Sequence, residues 1–465
     1  MVSSALLWDP RFNNSLSLLN LLNLPGAVSR GKVGHISPLC FFPMTEPIIF
    51  KTDQHRCSKG RGADPYIHSA ASLIDRLGPV LEFIGLKRIA DLSTIDRIGF
   101  PVANAIRPLP KGFSVSHGKG ESSDSAKASA VMESIERFHS APQAIDFYRA
   151  SYHDLKNKRP VIPLHHLPLS KKSFFTSSTP ELWHDCFDIV SHEDIPVPWE
   201  LVVMPTGLHH NANFCTSSNG MSGGTTFLEA LSQALLEVVE RDAVSCHQLA
   251  KKISMAPALL RPLDYEAIPY ERIKEKIRQC RDARVEPLLY ECSNEWGIPV
   301  YECSMVDLLD SDMPCTAGWG AGLDDHNALN RAINEAAQAR AVFLSGIRET
   351  FMEPGMFHHC YSDSTTHIKA FQDQGRKTGF HPVKGQGIPV PETFEEDVHE
   401  ILSRFQAQGL DQVLVMDLTH KEIKDQVTVI RVVVPGLDGP SELPNYAPGN
   451  RAIKSATRII EEAHR

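Results

Sequence analysis

The sequence contains no C-x-x-C pair, and its ten cysteines are scattered singly. That excludes both a structural zinc site of the usual spacing and a small disulfide scaffold. Isolated thiols fit a reducing, cytoplasmic setting, where Cys serves as a small core residue. No basic tract is present either. The formal net charge is -9 with acids and bases interspersed, which argues against a nucleic-acid partner. No apolar run is long enough to cross a bilayer, so no membrane is expected. The sequence has no G-x-x-x-x-G-K-[ST], which excludes a P-loop. Gly118-Lys119-Gly120 reads only as a turn. What remains, 465 residues at 42% hydrophobic and 22% charged, is a soluble globular protein.

The run SLSLLNLLNLPGA at 15–27 has the look of a signal h-region but no basic flank, and Asn and Ser interrupt it. Residues 1–43 therefore read as a poorly structured leader or a misassigned start, with Met44 opening the ordinary sequence.

Three stretches share one plan: 118–138, 219–243 and 320–341. Each begins with Gly and small residues, passes through helix-starting Ser, Thr or Asp, and enters an Ala/Leu-rich helix. Strand-like runs precede two of them, GFSVS before the first and FCTSS before the second. The expectation is an α/β (α+β) core with pseudo-symmetric strand–Gly turn–helix repeats.

The first two helices carry the same E-x-x-E-R spacing, at Glu133, Glu136 and Arg137 and at Glu237, Glu240 and Arg241. Residues three and four apart share a helix face. A solvated face with i,i+4 ion pairs would explain one copy. The second copy is nearly surrounded by Ala230, Leu231, Ala234, Leu235, Leu236, Val238 and Val239, which predicts burial on most sides. Two arginines do not balance four buried glutamates. Hard carboxylate oxygens suit Mg²⁺ held against phosphates, so more than one Mg²⁺ with a nucleotide is expected. Gly-rich helix N-termini and arginines would take the place of a Walker loop.

On SAVMESIER, SSNGMSGGTTFLEALSQALLEVVERDA and RAINEAAQAR, in that order, the chain resembles the YcaO family over roughly residues 55–440. The resemblance implies a YcaO-like fold around a non-Walker ATP site. It implies ATP- and Mg²⁺-dependent phosphorylation of a peptide backbone amide, giving an azoline or a thioamide. Glu133, Glu136, Glu237 and Glu240 match the magnesium-holding acids. Ser129, Arg137, Asn219 and Arg241 match nucleotide-contacting positions, with Arg340 and, near the N-terminus, Arg61 added to that set. Arg331, Glu335 and Gln338 fall in the third motif as the catalytic candidates; Asn334 stands where Thr is frequent.

The resemblance implies a peptide or protein substrate and a homodimer. Azoline-forming members end in a Pro-rich tail, whereas this chain ends in an amphipathic helix expected to bury Ile453, Ala456, Ile459, Ile460 and Ala463. That favours the TfuA-associated, thioamide-forming members and a separate TfuA-like partner. A non-catalytic accessory of a ribosomal-protein methylthiotransferase is the rival reading. The domain plan is a catalytic domain at 44–440, with a loop insertion at 345–395, and a C-terminal helix at 441–465. His358-His359-Cys360 and His209-His210 read as loops, and Cys246-His247 as packing.

Overall fold

Strand amides that lack a neighbouring strand need other partners, and in this protein three such edges face one another across a cavity. The computed structural model describes residues 68–463 except 111, 142–145, 205–212, 255–260, 293, 311–312, 347–367, 370, 372–378, 383–390, 442 and 444. The leader reading, Arg61, the two His clusters and most of the 345–395 insertion lie outside the described residues.

One sheet has the order β1 (Arg88–Asp91), β2 (Val102–Leu109), β3 (Gly112–Lys119). A second sheet contains β4 (Tyr148–Ser151), β5 (Pro180–Asp188), β6 (Asp194–Pro198), β7 (Met221–Gly224), β12 (Leu414–Asp417) and β13 (Thr428–Val433). Its order is β4-β5-β12-β13-β7, with β6 paired to β5. The third holds β8 (Arg261–Pro262), β9 (Val285–Glu291), β10 (Val300–Asp307) and β11 (Thr316–Ala321), ordered β11-β10-β9-β8. Every pairing among the described strands is antiparallel. The fold is thus a mixed α+β one rather than a parallel βαβ one.

The helices are α1 (Ala70–Arg76), α2 (Gly78–Phe83), α3 (Ser123–His139), α4 (Tyr152–Lys156), α5 (Trp199–Val202), α6 (Phe227–Ser254) and α7 (Glu271–Asp282). They continue with α8 (Asp325–Leu344), α9 (Phe394–Ala407) and α10 (Asn450–Ala463).

The repeated plan is visible as β3–α3, β7–α6 and β11–α8. In each unit the strand lies at a sheet edge and the next helix folds back onto it. Small residues make this possible. A Cβ at Gly118 would lie 2.0 Å from the Ala126 carbonyl oxygen, and one at Gly318 2.1 Å from the Ala336 nitrogen. Helix starts follow the sequence signals. Ser122 accepts from the Ser125 amide and Asp324 from the Asn327 amide. At α6 Thr226 Oγ1 accepts from the Glu229 amide, while the Glu229 carboxylate accepts from Thr225.

The second expected strand is misplaced in the sequence reading. FCTSS is not a strand; the strand is Met221–Gly224. A Cβ at Gly224 would sit 2.7 Å from the Ala230 nitrogen, so backbone approach, not side-chain propensity, selects those residues.

Helix α6 is buried on nearly every side, as its composition predicts. Leu231, Leu235 and Val239 join Ile401 and Phe405 of α9 and Ile430 and Val432 of β13 in one core cluster. The predicted helix–strand–strand closing segment is α9, β12 and β13. Helix α10 lies on the C-terminal half of α6, with Ala452, Ala456 and Ile459 against Cys246 and Ala250. Ile453 and Ala463, expected on its apolar face, are exposed. Arg451 instead anchors this helix, pairing with Asp242 and Glu295.

Candidate functional site

A cavity of about 1510 Å³ opens between α3, α6 and α8 and the edges of β3, β7 and β11. The E-x-x-E spacing puts both acids of α3 and both acids of α6 on its wall, and α8 supplies Arg331, Glu335 and Gln338. Ser129, Arg137 and Arg241 line it too.

Three of the four glutamates are anchored by amides of the sheet edges. The His117 N–H donates to Glu133 Oε2 at 3.1 Å. Gly223 N–H donates to Glu136 Oε1 at 2.7 Å, and Ala321 N–H to Glu240 Oε2 at 3.0 Å. An antiparallel edge strand directs alternate amides outward, and here one such donor on each of the three edges meets a carboxylate. The edges thereby gain partners and the acids gain fixed orientations. Glu133 also accepts from Arg137 Nε at 2.8 Å, the expected i,i+4 pair. In the second copy Arg241 Nε lies 3.8 Å from Glu240 Oε1, and its guanidinium stands 6.0 Å from the Trp319 ring centre.

Charge is unevenly matched. Glu136 and Glu237 keep a strip of surface on the cavity but are walled by protein elsewhere. Burial pushes Glu136 well above the usual carboxylate range; the Gly223 amide opposes this, and Glu237 and Glu133 add to it. Burial raises Glu237 to about 7, against the pull of Arg241 and with Glu240 reinforcing the rise. Glu335 behaves oppositely. Burial would raise it, but Lys119, then Arg241 and Arg331, hold it below its ordinary value. Behind the wall Arg431 is buried, donates from Nε to the Leu201 carbonyl at 2.9 Å, and lends positive charge to Glu237.

Three positions depart from the sequence reading, and a fourth adds a contact. Lys119, read as part of a turn, reaches the cavity and donates to Glu335. Arg340 does not line the cavity: it is 1% exposed and bridges Asp96 at 2.8 Å and Asp307 at 2.6 Å, a structural ion-pair group. Asn219 is not on the wall, although its neighbours Ser218 and Met221 are, and its Oδ1 is buried without a hydrogen-bond partner. Arg331 donates to Gln233 Oε1 at 2.8 Å, bringing α6 and α8 together through a residue of the second motif that was not among the expected site residues. Among the described residues no three His, Cys, Asp or Glu side chains gather round a single point. The four glutamates are spread along two helices.

A family model described as YcaO cyclodehydratase, ATP- and Mg²⁺-binding, matches residues 117–438. An uncharacterized protein in the tfuA 3′ region of Rhizobium leguminosarum bv. trifolii is 28% identical over 373 residues, 77% of this chain and 85% of that protein. An uncharacterized protein of Methanothermobacter thermautotrophicus is 28% identical over 380 residues, 78% and 92% of the two chains. The structure of YcaO from Methanopyrus kandleri bound with AMPPCP and Mg²⁺ has a TM-score of 0.64 at 21% identity, over 84% of this chain and 99% of that one. A heterocyclase in complex with substrate and cofactor has a TM-score of 0.66 at 17% identity, over 83% and 54%. These structural likenesses concern the fold. Given the match over residues 117–438, the chain belongs to the YcaO family and carries its ATP- and Mg²⁺-binding domain.

Proposed function

We propose that the protein activates a backbone amide of a peptide, using ATP and Mg²⁺, and that thioamide formation beside a TfuA-like partner is its reaction. The observation that carries this reading is that Glu133 and Glu136 of α3 and Glu237 and Glu240 of α6 line one cavity, where burial raises Glu136 and Glu237. Two buried acids that repel each other are suited to a cation, and their hard oxygens suit Mg²⁺. Glu133, Glu136, Glu237 and Glu240 would hold the metal; Ser129, Arg137 and Arg241 would face the nucleotide. When bound, ATP supplies the phosphoryl group that makes an amide oxygen a leaving group, and Mg²⁺ neutralises the charge that develops.

Glu335 has a positioning role in this reading. Held ionised between Lys119, Arg241 and Arg331, it is a weak base but a firm anchor for three cations. Arg331 and Gln338 present the third helix's polar groups to the reacting end of the cavity. The thioamide reading is supported by the tfuA-region relative. It is also supported by α10, which packs on α6 and contributes no residue to the cavity wall.

The test is ATP consumption with and without peptide and sulfide, followed by mass spectrometry of the peptide. Peptide-stimulated turnover with exchange of one oxygen for sulfur supports the reading. Loss of one water without need of sulfide would make the protein an azoline former. No stimulation by any peptide, with Glu240→Gln as active as wild type, would sink the amide-activation reading.

A further inference from the structure

The cations of the cavity fall into two groups. Lys119, Arg241 and Arg331 surround Glu335. Arg107 of β2 and Arg137 in the last turn of α3 line the same cavity, feel each other's charge, and form the other group. Of these two guanidiniums Arg137 already has a partner, since Glu133 accepts from its Nε at 2.8 Å.

Arg107 has no carboxylate partner among the described residues. Its Nε is buried and has no hydrogen-bond acceptor. Its guanidinium lies 5.3 Å from the centre of the Phe138 ring, within cation–π range. Burial, and then Arg137, lower its pKa, as expected for a cation without a counter-charge. Half-buried arginines commonly extend their tips to open water. Here the side chain lines a cavity wall that a second arginine shares. A planar fork with an unused N–H matches a carboxylate or a phosphate, which can accept two parallel hydrogen bonds.

We propose that the Arg107–Arg137 pair is a second anion subsite of the cavity, taking one carboxylate or phosphate group. The subsite needs only the cavity, not the amide chemistry. Two sources fit: a phosphate of the nucleotide, or an acidic side chain of the peptide.

Titration calorimetry on the full chain, comparing wild type with Arg107→Met and Arg107→Lys, tests this. The probes are inorganic phosphate, AMPPCP with Mg²⁺, adenosine, and the blocked peptides acetyl-Gly-Glu-Gly-amide and acetyl-Gly-Gln-Gly-amide. Arg107→Met should weaken phosphate binding about tenfold, the size of a lost charged hydrogen bond, and Arg107→Lys should weaken it less. If AMPPCP weakens in parallel, the anion is a nucleotide phosphate. If the Glu peptide weakens and AMPPCP does not, the anion is the peptide's carboxylate. Equal binding of phosphate, AMPPCP and the Glu peptide by wild type and Arg107→Met would overturn the proposal. So would a wild type that neither binds phosphate nor prefers the Glu peptide over the Gln peptide. An equal loss of adenosine binding together with early melting would mark Arg107 as structural only, and would overturn it too.

Discussion

Glu237 shows what a buried acid does to stability. Its pKa rises from 4.5 to about 7 on folding, so the folded protein binds that proton more tightly than the unfolded chain. Below pH 4.5 the residue is protonated in both states and has no effect. As pH rises through about 7 the penalty appears in full. Glu237→Gln should therefore raise the stability of the metal-free protein above that pH, by at most about 3 kcal/mol, and leave it unchanged at low pH. Urea melts in a chelator across the pH range check this; a variant less stable than wild type at pH 8 would contradict it. At this scale the residue types in E-x-x-E-R were legible because i,i+3 spacing is a local property. Which acid receives a backbone donor was not, since His117, Gly223 and Ala321 come from three sheets. The ion pair of Arg340 was not legible for the same reason: its partner Asp96 lies 244 residues away in sequence. Lys119 was set aside because a short Gly-Lys-Gly carries no direction.

At the scale of the element, the Gly-strand and Ala-helix pairing positions the site. Gly318→Ala would place a Cβ 2.1 Å from the Ala336 nitrogen and 2.5 Å from the Glu335 carbonyl carbon, neither of which is the end of a flexible side chain. It should cost roughly 1–3 kcal/mol, and it should weaken nucleotide binding by shifting α8 from β11. Gly78→Ala is the control: nothing lies within 4 Å of its added Cβ, and it sits in the first turn of α2. Its effect should be neutral or stabilising, by about 0.4–1 kcal/mol. Thermal melts and AMPPCP titrations separate the two; equal, small effects would show that the close packing is not what places Glu335. Helices α3, α6 and α8 were readable from Ala/Leu periodicity and their capping residues. Strand β7 was not, because Met-Ser-Gly-Gly has no β propensity and exists as a strand only through Arg431, Ile430 and their neighbours on β13.

For the whole molecule, the α+β class and the three repeated units could be read from sequence, while the antiparallel order of the sheets depends on long-range pairing that no local pattern encodes. The C-terminal helix belongs to this scale. Its docking on α6 places it outside the cavity wall. Residues 464–465 lie outside the described residues. Removing them, or adding a short Gly-Ser extension, should leave ATP turnover nearly unchanged, whereas a catalytic terminal carboxylate would lose about a hundredfold on a shift of about 1 Å. A collapse of turnover would return the protein to the azoline-forming members. We propose that glutamates of α3 and α6 hold the metal that accompanies the nucleotide. The most direct test is a Mn²⁺ titration followed by electron paramagnetic resonance, with AMPPCP, on wild type and the Glu136→Gln/Glu237→Gln double variant at pH 8. Wild type should bind Mn²⁺ tightly and only with the nucleotide, and the folded double variant should lose at least about tenfold; wild-type affinity in that variant would rule out the metal role.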